Sequence, residues 1–217
     1  MNPAFVHLNE DGSNDFDMCR NNEYDKREFA VGEFLDDKFV ICGGMVKQNC
    51  EAIDETGVHA FDLSTMGRAF ATNVKLNQST MWITGGVDSN WNFLTTTTLV
   101  TTTASIEDVS LPFSALGHCM VEIAPEKVML IGGMQDGTPN SDKSWIIDIN
   151  IRSETIPGPS LKEGRQGHSC GTIKDDFGHA IVIVTGGESK DTTEFLNTTT
   201  MSEWIHGNYL IAWSSPP

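Results

Sequence analysis

The dipeptide Gly-Gly closes a short apolar run at four places in this chain. The four copies are Phe39-Val40-Ile41-Cys42-Gly43-Gly44, Met81-Trp82-Ile83-Thr84-Gly85-Gly86, Val128-Met129-Leu130-Ile131-Gly132-Gly133 and Ile181-Val182-Ile183-Val184-Thr185-Gly186-Gly187. The second glycines fall at 44, 86, 133 and 187, so the steps are 42, 47 and 54 residues. Self-similarity at that period restricts a chain to a repeat architecture, in which each unit exposes a hydrophobic face that only its neighbours cover. A nearly continuous apolar run of this length reads as a strand buried on both faces. Gly43, Gly44, Gly85, Gly86, Gly132, Gly133, Gly186 and Gly187 are therefore read as structural. A turn after a crowded strand needs the positive φ and the close backbone approach that glycine allows.

Each unit reads as four strands. In the third they are Gly117–Ile123, Lys127–Ile131, Lys143–Asp148 and Ser153–Ile156. In the fourth they are Gly167–Ile173, Ala180–Thr185, Thr192–Asn197 and Ser202–Ile205. A second feature keeps step with the glycines. Thr155-x-x-Gly158-Pro159-x-Leu161 matches Trp204-x-x-Gly207-Asn208-x-Leu210, each starting seven residues beyond Asp148 or Asn197. The second unit runs Ala69–Leu76, Ser79–Thr84, Thr96–Thr102 and Ser105–Val109. The first shows Glu28–Phe34, Lys38–Cys42 and Val58–Asp62, and only five residues separate Asp62 from Arg68. That unit is expected to lack its fourth strand. The expected fold is all-β with almost no helix: a β-propeller of about four blades, incomplete or fragmentary. Blades are placed at 23–66, 67–113, 114–163 and 164–210, after a poorly patterned acidic segment 1–22 and before a tail 211–217. Both ends read as cuts through a longer array.

The formal charge of −16, from 30 acidic and 14 basic residues, argues against nucleic acid and anionic membrane as partners. No apolar stretch reaches the roughly 18 residues of a membrane helix. Residues 1–7 do not read as a signal peptide. Cys19, Cys42, Cys50, Cys119 and Cys170 are odd in number and form no Cys-x-x-Cys. They signal neither a disulfide framework nor a zinc site, and the compartment leans to a reducing, cytoplasmic one. Asn77-Gln78-Ser79 and Asn197-Thr198-Thr199 match the N-glycosylation pattern, which acts only in a secreted chain.

The chain resembles the kelch-repeat family. The resemblance rests on the apolar-run Gly-Gly, on Phe61-Asp62 and Ile147-Asp148, on Trp204-x-x-Gly207, and on Arg165-Gln166-Gly167-His168-Ser169. It covers about residues 25–210. Phe61 and Ile147 stand where the family has Tyr, and Thr155 where it has Trp. The resemblance implies a protein-interaction scaffold. It also admits a sugar-modifying enzyme, epimerase-like rather than oxidase-like, or a secreted recognition domain. A copper oxidase site needs tyrosines beside histidines, and Tyr24 and Tyr209 adjoin none.

Arg27, Arg68 and Arg165 head the first strands of three units, with Ala115 at the matching place in unit three. On one rim, such guanidinium groups suit the carboxylates and carbonyls of a peptide. They are the expected partner-binding residues, taking an acidic or carbonyl-rich segment. His118 and His168 recur because the strand recurs, and read as buried groups bonded to a neighbouring unit. No catalytic residue, metal site or cofactor is expected. The function read from the sequence is non-catalytic binding of a protein or peptide on one face.

Overall fold

The computed structural model describes residues 27–45, 49–61, 67–175, 177–188 and 190–207. The N-terminal segment, the tail, Cys19, Tyr24, Tyr209 and Asp62 lie outside them. The fold is all-β. Four antiparallel sheets follow one another, each a four-stranded meander in chain order.

Unit one holds β1 (Val31–Leu35), β2 (Lys38–Cys42), β3 (Cys50–Asp54) and β4 (Gly57–Phe61). Unit two holds β5 (Thr72–Asn77), β6 (Thr80–Thr84), β7 (Thr97–Val100) and β8 (Ser105–Glu107). Unit three begins with the two-residue strand β9 (Ala115–Leu116), then β10 (Cys119–Ala124) and β11 (Lys127–Ile131). After β12 (Met134–Gln135), which pairs with β9, come β13 (Ser144–Asp148) and β14 (Thr155–Pro157). Unit four holds β15 (Ser169–Lys174), β16 (Ala180–Thr185), β17 (Thr193–Asn197) and β18 (Ile205–Gly207).

Unit one is complete, which corrects the expectation of a missing fourth strand. Val58–Asp62 was read as its third strand, but Gly57–Phe61 is the fourth and Cys50–Asp54 the third. Glu51 and Asp54 interrupt the apolar pattern and hide β3 from a reading by hydrophobicity. Ile53-Asp54, not Phe61-Asp62, is thus the counterpart of Ile147-Asp148 and Leu196-Asn197. Asp54, Asp148 and Asn197 each end a third strand and accept the backbone N–H two residues on. That is the Asx turn these residues favour.

Three hydrophobic clusters lie between consecutive sheets. Val40 and Cys42 of unit one meet Met81 and Ile83 of unit two. Trp82, on the other face of β6, joins Met120, Val128 and Leu130 of unit three. Met129 and Ile131 face Val182, Val184 and Trp204 of unit four. Period-two alternation sends successive residues of β6 and β11 to opposite neighbours, so these strands are buried on both sides. Ile183 departs from the sequence expectation. It is only half-buried, because the outer face of unit four meets no further sheet among the described residues.

The cysteine reading is also corrected. Cys42 is disulfide-bonded to Cys50, and Cys119 to Cys170. The first pair faces itself across β2 and β3; the second ties the first strands of units three and four. An odd count concealed them, and the lean to a reducing compartment loses its basis.

Candidate functional site

Consecutive units meet at the Gly-Gly turns. The second glycine N–H donates to the next unit's leading carbonyl: Gly44 to Arg68 (2.8 Å), Gly86 to Ala115 (2.7 Å) and Gly133 to Arg165 (2.7 Å). The first glycine lies flat against the same carbonyl. A Cβ on Gly85 would sit 2.2 Å from the Ala115 oxygen, closer than any real contact, and φ there is +61°. This is why the double glycine recurs.

The three arginines expected on a binding rim point inward instead. Arg27 Nη1 donates to the carbonyls of Gly43 (2.8 Å) and Asn49 (2.9 Å). Arg68 Nη1 donates to Gly85 (3.2 Å) and Thr96 (2.7 Å), and Arg165 Nη1 to Gly186 (2.8 Å) and Thr192 (3.0 Å). Each pins the Gly-Gly turn of its own unit to the residue before the third strand. Arg165 is fully buried and pairs with the equally buried Glu194 at 2.7 Å. Arg27 pairs with Glu51 at 3.2 Å. Burial pushes Arg68 down to about 10, still charged at neutral pH. A guanidinium offers five donors, and two in parallel suit paired carbonyls as well as a ligand carboxylate.

In unit three, with Ala115 at the arginine place, Gln135 substitutes. Its Nε2 donates to the carbonyls of Gly132 (2.8 Å) and Lys143 (3.4 Å), and its Oε1 accepts from Trp145 Nε1 at 2.9 Å.

The histidines are internal too. His118 Nε2 lies 2.8 Å from Thr84 Oγ1 of unit two, the neighbouring-unit bond expected of it. Burial, then the charge of His168, pushes His118 down to about 3. Burial, then Arg165, pushes His168 down to about 4. Both rings are neutral near pH 7. Among the described residues no group of three or more His, Cys, Asp or Glu side chains could hold a metal ion.

What this end of the sheets does expose is aromatic. The second residue after each leading position has φ near +60°: Phe29 (59°), Phe70 (56°), Gly117 (59°) and Gly167 (63°). Their backbones form one relay. Phe70 N–H donates to the Phe29 carbonyl, Gly117 to Phe70 and Gly167 to Gly117, at 3.2, 3.0 and 2.8 Å. The relay needs the left-handed conformation, which glycine adopts freely and phenylalanine does not. Units three and four use glycine; units one and two use phenylalanine. The two rings stack at 3.9 Å between centroids, and Phe29 is 53% exposed.

Trp91 extends the pair, 6.1 Å from Phe70 and 59% exposed, also at positive φ (62°). It crowns the loop between β6 and β7, which Asp88 closes. The Asp88 carboxylate accepts from the backbone N–H of Asn90 and Asn92 and from Asn92 Nδ2, all within 2.9 Å. The Asn92 side chain, then its backbone N–H, lowers the Asp88 pKa. A small pocket of about 40 Å³, lined by Gly44, Met45, Ala69, Val87, Asp88 and Trp91, opens beside it. Phe93 and Met45 are exposed nearby. Strained backbone gathered at one exposed patch points to function, and no sequence expectation named these residues. Their signal was present: Phe29 and Phe70 occupy the places that Gly117 and Gly167 hold in the other units.

Neither a family model nor a curated protein sequence matches this chain. Among solved structures, that of YjhT superposes with a TM-score of 0.68 at 14% identity, over 85% of this chain and 71% of that one. At that identity the likeness speaks for the all-β fold and not for an activity.

Proposed function

We propose that the four sheets are kelch-type blades of a propeller array, and that the array is a non-catalytic module holding a protein segment on the Phe29–Phe70–Trp91 ledge. Three repeated joints support the blade reading: Gly-Gly against the next unit, arginine or Gln135 inside the turn, and first strands side by side. The observation that carries the binding reading is two exposed aromatics, Phe29 and Trp91, either side of the half-buried Phe70, all three at positive φ and meeting at one place. Aromatic side chains give large contact area with few rotatable bonds.

The partner differs from the acidic segment expected earlier. With their guanidinium groups bonded internally, Arg27, Arg68 and Arg165 offer nothing to an acidic ligand. Exposed Glu28, Asp136, Asp142, Glu188 and Asp191 share the ledge's end of the sheets with Lys143 and Lys190. That surface favours a segment carrying Lys or Arg, whose cation sits over an aromatic face. Association should then slow as salt rises.

The test is an immobilised peptide library graded in charge, probed with wild type and with Trp91→Ala. Cationic peptides should be selected, and Trp91→Ala should weaken them at least about tenfold, as loss of an aromatic anchor does. Selection of acidic peptides, or binding indifferent to Trp91, would overturn the proposal.

A further inference from the structure

We infer that Asn77 and Asn197 carry N-linked glycans, both on the end of the sheets opposite the aromatic ledge, in a chain that matures in an oxidising secretory compartment. Two independent observations lead there. Four cysteines are paired, and disulfides form and persist in oxidising compartments. The same compartments hold the machinery that glycosylates Asn-x-Ser/Thr.

The second observation is the placement of the two triplets. Each lies in a turn, where a glycan can be carried without disturbing a core. Asn77, exposed, ends β5 and opens the turn to β6; Asn197 ends β17, and its partner Thr199 is exposed. Six turns in the described residues are closed by an Asn or Asp side chain accepting the N–H two residues on. Asp54, Asp88, Asp148 and Asp175 close four, Asn77 and Asn197 the other two. Aspartate serves such a turn as well as asparagine. Three of the six have a hydroxyl residue at the third position, Ser79, Thr199 and Thr56, against Asn90, Asn150 and Phe177 in the others, and only Ser79 and Thr199 have an asparagine two residues before them, Thr56 having Asp54 there. In both, Oδ1 makes the turn bond, while Nδ2, the atom that takes the sugar, makes no hydrogen bond among the described residues.

Topology then fixes the side. In a meander the turns after first and third strands share one end, and the turn after the second strand lies at the other. Asn77 ends a first strand and Asn197 a third. The Gly-Gly turns and Trp91 follow second strands. Neighbouring units keep the same orientation: Asp36 N–H, in the first hairpin of unit one, donates to the Gln78 carbonyl in that of unit two at 3.0 Å. Glycans at 77 and 197 therefore leave the ledge uncovered.

In the transfer, a bond forms between the asparagine Nδ2 and the anomeric carbon of a lipid-linked oligosaccharide. The bond from that carbon to the lipid diphosphate breaks, and Nδ2 gives one proton to the transferase base. The experiment is peptide mass spectrometry of the native protein, digested with peptide N-glycosidase in heavy-oxygen water, with free thiols alkylated first. Asn77 and Asn197 should be recovered as oxygen-18-labelled aspartate, and Cys42, Cys50, Cys119 and Cys170 should escape alkylation until reduced. The full chain secreted from eukaryotic cells should lose one glycan with Ser79→Ala and one with Thr199→Ala. Unlabelled asparagine at either position overturns the assignment there, and alkylation of all four cysteines before reduction overturns the compartment.

Discussion

Replacing Phe29 by glycine separates a residue kept for binding from one kept for folding. At φ +59° the phenylalanine holds a conformation that costs an L-residue about 1–2 kcal/mol and glycine nothing. Against that relief stand three losses. Stacking on Phe70 contributes about 0.5–1.5 kcal/mol. The ring is 53% exposed, so its burial contributes about 1 kcal/mol, near half the low end for a fully buried side chain. Glycine adds an entropic cost of about 0.5–1 kcal/mol. The losses outweigh the relief only modestly, leaving Phe29→Gly between about 0 and 2.5 kcal/mol less stable than wild type. Phe29→Ala loses the ring but keeps the strain, so it should be less stable than Phe29→Gly by about 1 kcal/mol. Denaturant unfolding of the three proteins measures both differences. An alanine variant as stable as the glycine variant would refute the strain argument. A loss above about 3 kcal/mol in both, the range of a buried Phe→Ala, would make the ring a core element.

Gly85→Ala should cost more than Gly186→Ala. Both have positive φ, but an added Cβ meets the Ala115 carbonyl at 2.2 Å in the first case and nothing among the described residues within 4 Å in the second. The extra crowding is about 1–3 kcal/mol, or roughly 2–12 °C in a chain of this size, and equal melting temperatures would deny that the dipeptide is an inter-unit joint. Stability should fall as the pH drops below 6.5. The folded pKa values of His118 and His168, about 3 and 4, lie below the unfolded value, so the unfolded chain takes up protons first. By pH 5 the two together lose about 4 kcal/mol, and a flat denaturant midpoint between pH 7 and 5 would mean that the rings are solvated. Reduction should remove about 4 kcal/mol with Cys119–Cys170 and about 2.5 kcal/mol with Cys42–Cys50, by loop closure over separations of 51 and 8 residues. Single Cys pairs changed to Ser and followed by denaturant would show the order.

Hydrophobic pattern and glycine made most of the fold legible. The apolar runs of β2, β6, β11 and β16 read directly, as did the tails of units three and four as far as Gly158 and Gly207, Asn208 and Leu210 lying outside the described residues. β3 did not, because its charged residues are used at the turn and in the bond of Glu51 to Arg27. The arginine places were visible, but a guanidinium that pins two carbonyls looks in sequence like one that waits for a ligand. Only distance separates the uses. Phe29 and Phe70 were equally visible, yet their meaning needs the φ that Gly117 and Gly167 share with them. Cys119 and Cys170 are 51 residues apart, and only the packing of β10 on β15 brings them together.

Units differ from one another in two ways, and Gln135 tests the distinction. Where unit three lacks the arginine, another side chain restores the bonds, the mark of a structural need. At Phe29 and Phe70 nothing compensates. If Gln135 does the work of the arginine, its donor is what matters. Gln135→Ala leaves the buried Gly132 carbonyl and Trp145 Nε1 without that partner, at about 1–3 kcal/mol. Gln135→Glu keeps the shape and the acceptor for Trp145. It nevertheless sets a carboxylate oxygen against the Gly132 and Lys143 carbonyls in a site only 5% exposed. The near-isosteric change should therefore be worse than the truncation, since an uncompensated buried charge costs more than a lost hydrogen bond. Relative to wild type at the same pH, the glutamate penalty should shrink as acid protonates the carboxyl and returns a donor, while the alanine penalty stays constant. Unfolding curves at pH 7.5 and 5.5 decide it. A glutamate variant as stable as the alanine one at pH 7.5, with no gain at pH 5.5, would show that the site asks for volume and not for a donor.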